Sequence, residues 1–455
     1  MNMLSAESKE INNTNSFCPS CMKILPSRIV KSSGKIFLNK SCDSCNEKIS
    51  VLLENDANFF YKVYGYYFND KYPIYLAKIP LEEIFKVKNF FTAISIITTS
   101  KCNLNCPICL SQKNHEDISL ETIKKSLNFK NKWITLTGGE PTVREDLPEI
   151  IKLIRNSGNL PLLQTNGLRF ADIEYARELR NAGLKYLHLS FNGFNKDVYK
   201  KIYGDEKLLD KKNEAIKNME KIGFRILLSM AVDYGMEKEI LDCIKFAVKN
   251  NKFIKGIFIR PIECEPRVKY KTNNILTMSD IAKLMEKLTE GKIKVDDFLE
   301  YRRFRWNLYQ LFEKLFGDKI ARKIYPEVPL EVMLQITNGK YKLFIEKNKL
   351  VEMNKLIENT LKRKNKISYI KLLRKILFMV PSLGKDQISL LSSVLLNKFE
   401  LANVAEKVFD NGNILRIWID KVYTPTNVDL RVNIKTYSLA ADGGVPIVFT
   451  VSYLC

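Results

Sequence analysis

From residue 91 to about residue 285 the chain alternates apolar strand-like runs with amphipathic helix-like runs, six times in succession. "FTAISIITTS" is followed by "ISLETIKKSLNF", and "KWITLTGGEPT" by "DLPEIIKLIRNSG". "LPLLQTNG", "LKYLHLSFNG", "FRILLSMAVDYG" and "IKGIFIRPIE" each lead into a helical pattern in the same way. Asp caps and Gly stops bound several of the helices. Strand-then-helix repetition of this kind requires a parallel sheet with helices packed outside it. Six units suit a partial barrel better than an eight-fold one. The expected class is α/β, a partial (β/α)6 barrel.

In such folds ligands gather at the C-terminal strand ends. Here those ends carry "KCNLNCPICL" (101–110), "TGGEPT" (137–142), "QTNG" (164–167), "SFNG" (190–193) and "RPIECEPR" (260–267). The first holds Cys102, Cys106 and Cys109, one thiolate short of a closed four-ligand site. Three thiolates at these spacings suit three irons of a [4Fe–4S] cluster and leave the fourth iron open to a small ligand. A three-Cys zinc site with a distant fourth ligand is the competing reading. Gly138 and Gly139 allow close backbone approach to a ligand, Glu140 offers an acceptor to an ammonium group, and Pro141 stiffens the exit. Thr165, Asn166, Ser190 and Asn192 are short polar side chains at strand ends, although Asn-Gly is also a turn signal in its own right. Arg260 is suited to a carboxylate or another anionic group.

"CNLNCPIC" resembles the cluster motif of the radical S-adenosylmethionine (radical SAM) enzymes, and residues 91–285 follow that family's partial barrel in order. Ile108 stands where the family usually has an aromatic residue. The resemblance implies that Cys102, Cys106 and Cys109 bind one [4Fe–4S] cluster and that the open iron is chelated by SAM. It places Gly138, Gly139, Glu140 and Pro141 at the methionyl amino group. Ser190 and Asn192, then Thr165 and Asn166, fall at the ribose or carboxylate of SAM, with Arg260 a further candidate for the carboxylate. The implied reaction is reductive cleavage of SAM to a 5′-deoxyadenosyl radical, which abstracts hydrogen from an unactivated carbon. A low-potential electron donor such as ferredoxin or flavodoxin is implied with it.

Towards the N-terminus, Cys18-x2-Cys21 and Cys42-x2-Cys45 form two knuckles joined by a hairpin-length spacer. They predict a tetrahedral four-sulfur site for Zn²⁺ or a single rubredoxin-type iron, structural in role. The expected domains are a four-Cys knuckle at 1–50, an aromatic-rich connection at 51–90 and the barrel at 91–290. A basic helical cap follows at 291–415 and a β-strand pair at 416–455, turning at Ala-Asp-Gly-Gly as a terminal hairpin. This layout resembles the archaeal tetraether lipid synthase group, some members of which have been described as pterin methyltransferases. That group carries extra C-terminal cysteines for auxiliary clusters. Here Cys243, Cys264 and Cys455 are too few for a second cluster, and Cys243 falls within a helix.

Seven of the ten cysteines fall in the two clusters, a pattern of metal binding rather than of disulfides. With only His115 and His188, histidine-pair chemistry is poorly supported. No apolar run is long enough to span a membrane and no signal-peptide core is present, so the protein reads as cytoplasmic. The net charge of +22 is spread along the chain, which favours a Lys-rich solvated surface. Peripheral contact with anionic lipid and nucleic-acid binding are the alternatives. The apolar, basic 300–400 region suggests a hydrophobic, lipid-like substrate. The alternatives are a peptide-modifying maturase, a methyltransferase, or a metal-binding nucleic-acid-associated protein.

Overall fold

The hairpin at Ser33-Gly34 organises the N-terminal unit. Both residues have positive φ (49° and 76°), as a two-residue turn between right-twisted strands requires. It joins β2 (Ile24–Ser32) to β3 (Lys35–Cys42); β1 (Lys9–Phe17) and β4 (Glu47–Glu54) complete an antiparallel sheet in the order 1-2-3-4. Alternation buries Ile29, Ile36 and Leu38 on one face. The structure is a computed structural model. It describes residues 9–21, 23–65, 93–110, 116–127, 130, 132–263, 269–272, 274–317, 330–362, 365–379, 413–421 and 436–439.

The connection expected at 51–90 begins as the end of β4 and then a helix, α1 (Ala57–Tyr64), whose N-cap Asp56 accepts from the Phe59 N–H; residues 66–92 lie outside the described residues. The end of β4 is anchored on the barrel. Glu54 accepts hydrogen bonds from Thr277 and Ser279, and Asn55 donates to Asp280 at 2.7 Å.

The six expected strands form and run in chain order: β5 (Ala93–Thr99), β6 (Trp133–Gly138), β7 (Leu160–Thr165), β8 (Tyr186–Ser190), β9 (Arg225–Val232) and β10 (Ile254–Pro261). Each pairs in parallel with the next. Between them lie α2 (Leu120–Ser126), α3 (Leu147–Asn156), α4 (Ile173–Asn181), α5 (Lys196–Tyr203), α6 (Leu208–Ile222) and α7 (Glu237–Lys249), with α8 (Met278–Leu288) after β10. Ile134, Leu136, Leu163, Leu187, Leu228 and Ile257 share one core with Ile150, Leu179, Met219 and Ile244 of the helices. Burying each such side chain contributes about 1.5–3 kcal/mol. The alternate strand positions, among them Thr137, Gln164, His188, Ser229 and Arg260, face a cavity instead.

The sheet is wider than six strands. β11 (Leu330–Thr337), β12 (Lys340–Leu343) and β13 (Ile414–Ile419) extend it beyond β10, and β14 (Thr436–Leu439) adds beside β5. The span read as a helical cap does hold α9 (Val295–Phe316), α10 (Lys347–Leu361) and α11 (Lys366–Met379), packed in a second core through Phe304, Leu311, Met353 and Leu373. It also holds the β11–β12 hairpin, turned at Asn338-Gly339 with φ of 52° and 73°. The Ala-Asp-Gly-Gly turn and the strand expected after it, as well as Cys264 and Cys455, lie outside the described residues. Among the described residues no helix is long and apolar enough to cross a membrane.

Candidate active site

Where β5 ends, the chain passes so close to β6 that no side chain fits between them. A Cβ on Gly138, whose φ is 142°, would fall 2.1 Å from the Thr99 carbonyl oxygen. One on Gly139 would fall 2.2 Å from that of Lys101. The Gly139 and Glu140 N–H groups donate to those same two oxygens at 2.8 and 2.9 Å. The glycines were expected to allow close backbone approach to a ligand; both line the cavity, and they also make room for the chain's own backbone at the root of the cysteine loop.

Cys102, Cys106 and Cys109 line one wall of the cavity. The Cys109 N–H donates to the Cys106 carbonyl at 3.1 Å, and the Leu104 N–H points at the Cys102 sulfur at 3.4 Å. Burial first, then the neighbouring Cys109 and Cys102, push the Cys106 thiol up to about 12. The loop is tied across the barrel mouth by Asn166, whose side-chain amide donates to Asn103 at 2.7 Å.

Glu140 lines the same cavity. Its buried carboxylate accepts from the Thr142 N–H and hydroxyl, the Thr165 hydroxyl and the Asn166 N–H at 3.1, 2.7, 2.6 and 2.6 Å. Burial outweighs these bonds and raises its pKa. Glu140 therefore locks the ends of β6 and β7 together while lining the cavity, a positioning role beyond the expected acceptor for an ammonium group. Pro141 starts a single 3-10 turn capped by Glu140 and is absent from the cavity lining, unlike the other residues expected at the cluster and SAM.

At the end of β8, the Ser190 hydroxyl lies 2.9 Å from the Tyr203 hydroxyl, which also donates to Asn192 at 2.9 Å. Beneath them sits Lys212, only 1% exposed, donating to the Ser190 carbonyl with its Nζ 4.0 Å over the Tyr203 ring. Burial drives its pKa down to about 7, against the pull of Cys106 and Glu140. Tyr203 and Lys212 were not anticipated. The signal was present in α6, where Lys212, Ala215, Ile216 and Met219 occupy one helical face that is otherwise apolar.

Arg260 was expected to hold an anionic group. It forms a buried ion pair within the chain: Nε and Nη2 donate to Asp420 at 3.2 and 3.1 Å, and Nη1 to Ser229 at 3.3 Å. Asp420 follows β13, outside the six-strand barrel. Beside Arg260 lies His188, whose Nε2 is buried with no hydrogen-bond partner. Burial, then the Arg260 charge, hold that imidazole's pKa down to about 3.

The second cysteine set is built differently. The Cys18, Cys21, Cys42 and Cys45 sulfurs all lie within 4.8 Å of one another, with Cys18–Cys45 and Cys21–Cys42 at 3.8 and 3.7 Å. A tetrahedron with metal–sulfur bonds of about 2.3 Å has edges of about 3.8 Å, so these residues fit a single ion. The Lys23 N–H is the leading cause that lowers the Cys21 thiol to about 7, whereas the neighbouring Cys21 sulfur leads in pushing Cys45 up to about 12 and burial raises Cys42. Among the described residues this is the one group of three or more metal-ligating side chains gathered so closely. The Cys102, Cys106 and Cys109 sulfurs are not gathered within 4.8 Å of one another in this way.

Comparison with known proteins agrees. The family described as "Radical SAM superfamily" matches residues 96–247, and the "HMPTM N-terminal zinc ribbon domain" matches residues 10–49. A "7,8-dihydro-6-hydroxymethylpterin dimethyltransferase" of Methanocaldococcus jannaschii is 34% identical over 327 residues, covering 67% of this chain and 64% of that protein. A "probable GTP 3′,8-cyclase" of Pyrococcus abyssi is 35% identical over 185 residues, covering 38% and 59%. One of Methanococcus aeolicus is 31% identical over 231 residues, covering 46% and 72%. The chain thus spans somewhat less than two thirds of the first two relatives. Among solved structures, Streptococcus suis SuiB gives a TM-score of 0.38 at 14% identity, covering 57% of this chain and 68% of that one, a likeness too distant to bear on the site. From its fold, its cysteine loop and these relatives, the chain belongs to the radical SAM superfamily.

Proposed function

We propose that Cys102, Cys106 and Cys109 hold a [4Fe–4S] cluster, and that the ends of β6–β8 and Arg260 seat SAM beside it. One observation carries this: a single cavity is lined by the three cysteines together with Gly138, Gly139, Glu140, Thr165, Asn166, Ser190, Asn192 and Arg260. A cluster held there would supply the electron for reductive cleavage of a C–S bond of SAM, and with it the radical chemistry that takes hydrogen from an unactivated carbon. The chain's own residues position and enclose. Glu140 and Asn166 fix the two loops that face each other, and Tyr203 and Lys212 fix the Ser190–Asn192 strand end. Walls drawn from Leu104, Ile108, Leu110 and Ile262 exclude water from a reactive radical. A low-potential donor of the ferredoxin or flavodoxin type would deliver the electron.

The anaerobically reconstituted protein is expected to release 5′-deoxyadenosine from SAM on reduction, and Cys106→Ala to release none. Equal release from both would overturn the assignment. The cavity's lining is apolar over most of its area, which suits a substrate with an apolar face. Methyl transfer to a pterin-type ring is the second reading, favoured by the Methanocaldococcus relative's match over 67% of this chain.

A further inference from the structure

Lys212 is a buried lysine whose charge the cluster and SAM reading does not use. Among the described residues its one hydrogen bond is to the Ser190 carbonyl, and no carboxylate lies within ion-pair distance of it. Its Nζ lies instead 4.0 Å over the Tyr203 ring and 5.8 Å from the centre of the Tyr199 ring. An ammonium ion is costly to bury unless negative charge stands near it. The negative groups that act on Lys212 against its burial are Cys106, then Glu140, and Glu140 is already held by Thr142, Thr165 and Asn166. The surrounding packing points the same way. Tyr199 and Tyr203 belong to the apolar patch on which Leu104, Cys106 and Ile108 of the cysteine loop pack. Gly204, next to Tyr203 at the end of α5, comes so near the loop that a Cβ there would meet Pro107 Cδ at 3.8 Å. The amine and the cysteine loop thus share the two tyrosines as a common wall. Lys212 is absent from the cavity lining, so it stands behind that wall rather than in the site.

We propose that Lys212 is a buried counter-charge for the cysteine loop: a positioning residue whose ammonium group, held behind Tyr203, favours the reduced form of a [4Fe–4S] cluster on Cys102, Cys106 and Cys109. The proposal deepens the cluster assignment above and rests on it. Such a cluster gains one negative charge on reduction, and its potential responds to nearby charge, hydrogen bonds and solvent exposure. In a dry wall a charge acts over several ångströms with little screening, so the ammonium group needs no contact with the thiolates. The sign follows from the charges. A cation stabilises the more negative state, which raises the potential and eases delivery of the electron that SAM cleavage requires. The bond to the Ser190 carbonyl and the Tyr203 ring hold that cation in place; neither is anionic, so neither cancels it.

The test is an anaerobic redox titration of the reconstituted full chain without SAM, followed by the electron paramagnetic resonance signal of the reduced cluster. Lys212→Met removes both the charge and the hydrogen bond. Lys212→Gln removes the charge and keeps an N–H donor for the Ser190 carbonyl. Replacing a buried charge by an uncharged side chain of similar shape is commonly tolerated, so both variants are expected to hold as much iron as wild type. Both are expected to be reduced about tenfold less favourably, a midpoint potential lower by about 59 mV for one electron. Unchanged potentials in both variants overturn the proposal. A shift in Lys212→Met alone also overturns it, because the lost hydrogen bond then accounts for the effect. Loss of iron from both variants makes Lys212 a scaffold residue and overturns it as well. A wild-type chain that forms no reducible cluster overturns the cluster assignment itself, and this proposal with it.

Discussion

A single methyl group at Gly139 would sit 2.2 Å from the Lys101 carbonyl oxygen and 2.7 Å from that of Ser100. Both obstacles are backbone, so nothing flexible can move aside. Gly139→Ala is therefore expected to displace the loop that carries Cys102, Cys106 and Cys109, and to lower iron retained after reconstitution several-fold. Iron content equal to wild type would refute this account. The neighbouring Glu140 makes a related point. Its residue type was legible as functional, but two of the partners that occupy it, Thr165 and Asn166, come to it only when β6 and β7 lie side by side. Lys212 was less legible still: one charged residue on an apolar helix face, among many lysines on solvated ones.

The elements most readily read were those with strong local signals. Six strands followed by helices, each with a period of its own, were visible because every strand alternates between a helix-facing and a cavity-facing set. The N-terminal knuckles were visible from spacing alone, and their sulfurs converge as the spacing implied. Ile29, Ile36 and Leu38 join the barrel's core, whereas around the four cysteines Leu25 is, among the described residues, the one buried apolar side chain packed with them, so an ion is expected to hold the knuckle end together. Structural zinc contributes on the order of 10–16 kcal/mol in comparable small sites. Chelation, or Cys42→Ser, is expected to release one metal ion per chain and to open residues 9–54 to proteolysis while the barrel stays resistant. An unchanged cleavage pattern would show that the ion is dispensable. The β11–β12 hairpin was missed because its Asn-Gly turn lies between two strongly helical, Lys-rich stretches whose pattern dominated the span.

For the whole molecule, the telling contact is Arg260 with Asp420, 160 residues apart in the chain. It exists because β13 adds in parallel beside β10, with Ile257 opposite Ile417 and Ile259 opposite Ile419. The C-terminal region thus completes the barrel's wall, and Lys421 beyond it donates to the Leu53 carbonyl of the N-terminal unit at 3.3 Å. Asp420→Ala leaves a buried guanidinium without its carboxylate. It is expected to cost about 3–5 kcal/mol in urea unfolding. A loss within experimental error would mean that Ser229 and solvent suffice for Arg260.

What the sequence determined by itself was local: the strand–helix period, the two cysteine spacings, and the polar residues at strand ends. These follow from interactions within a few residues, which sequence order displays directly. The tertiary structure decided which polar groups face one another. The orphaned nitrogen of His188, the neutralised charge of Arg260 and the buried amine of Lys212 are properties of neighbours far away in the chain. Burial and pairing set them, and neither exists until the sheet has assembled.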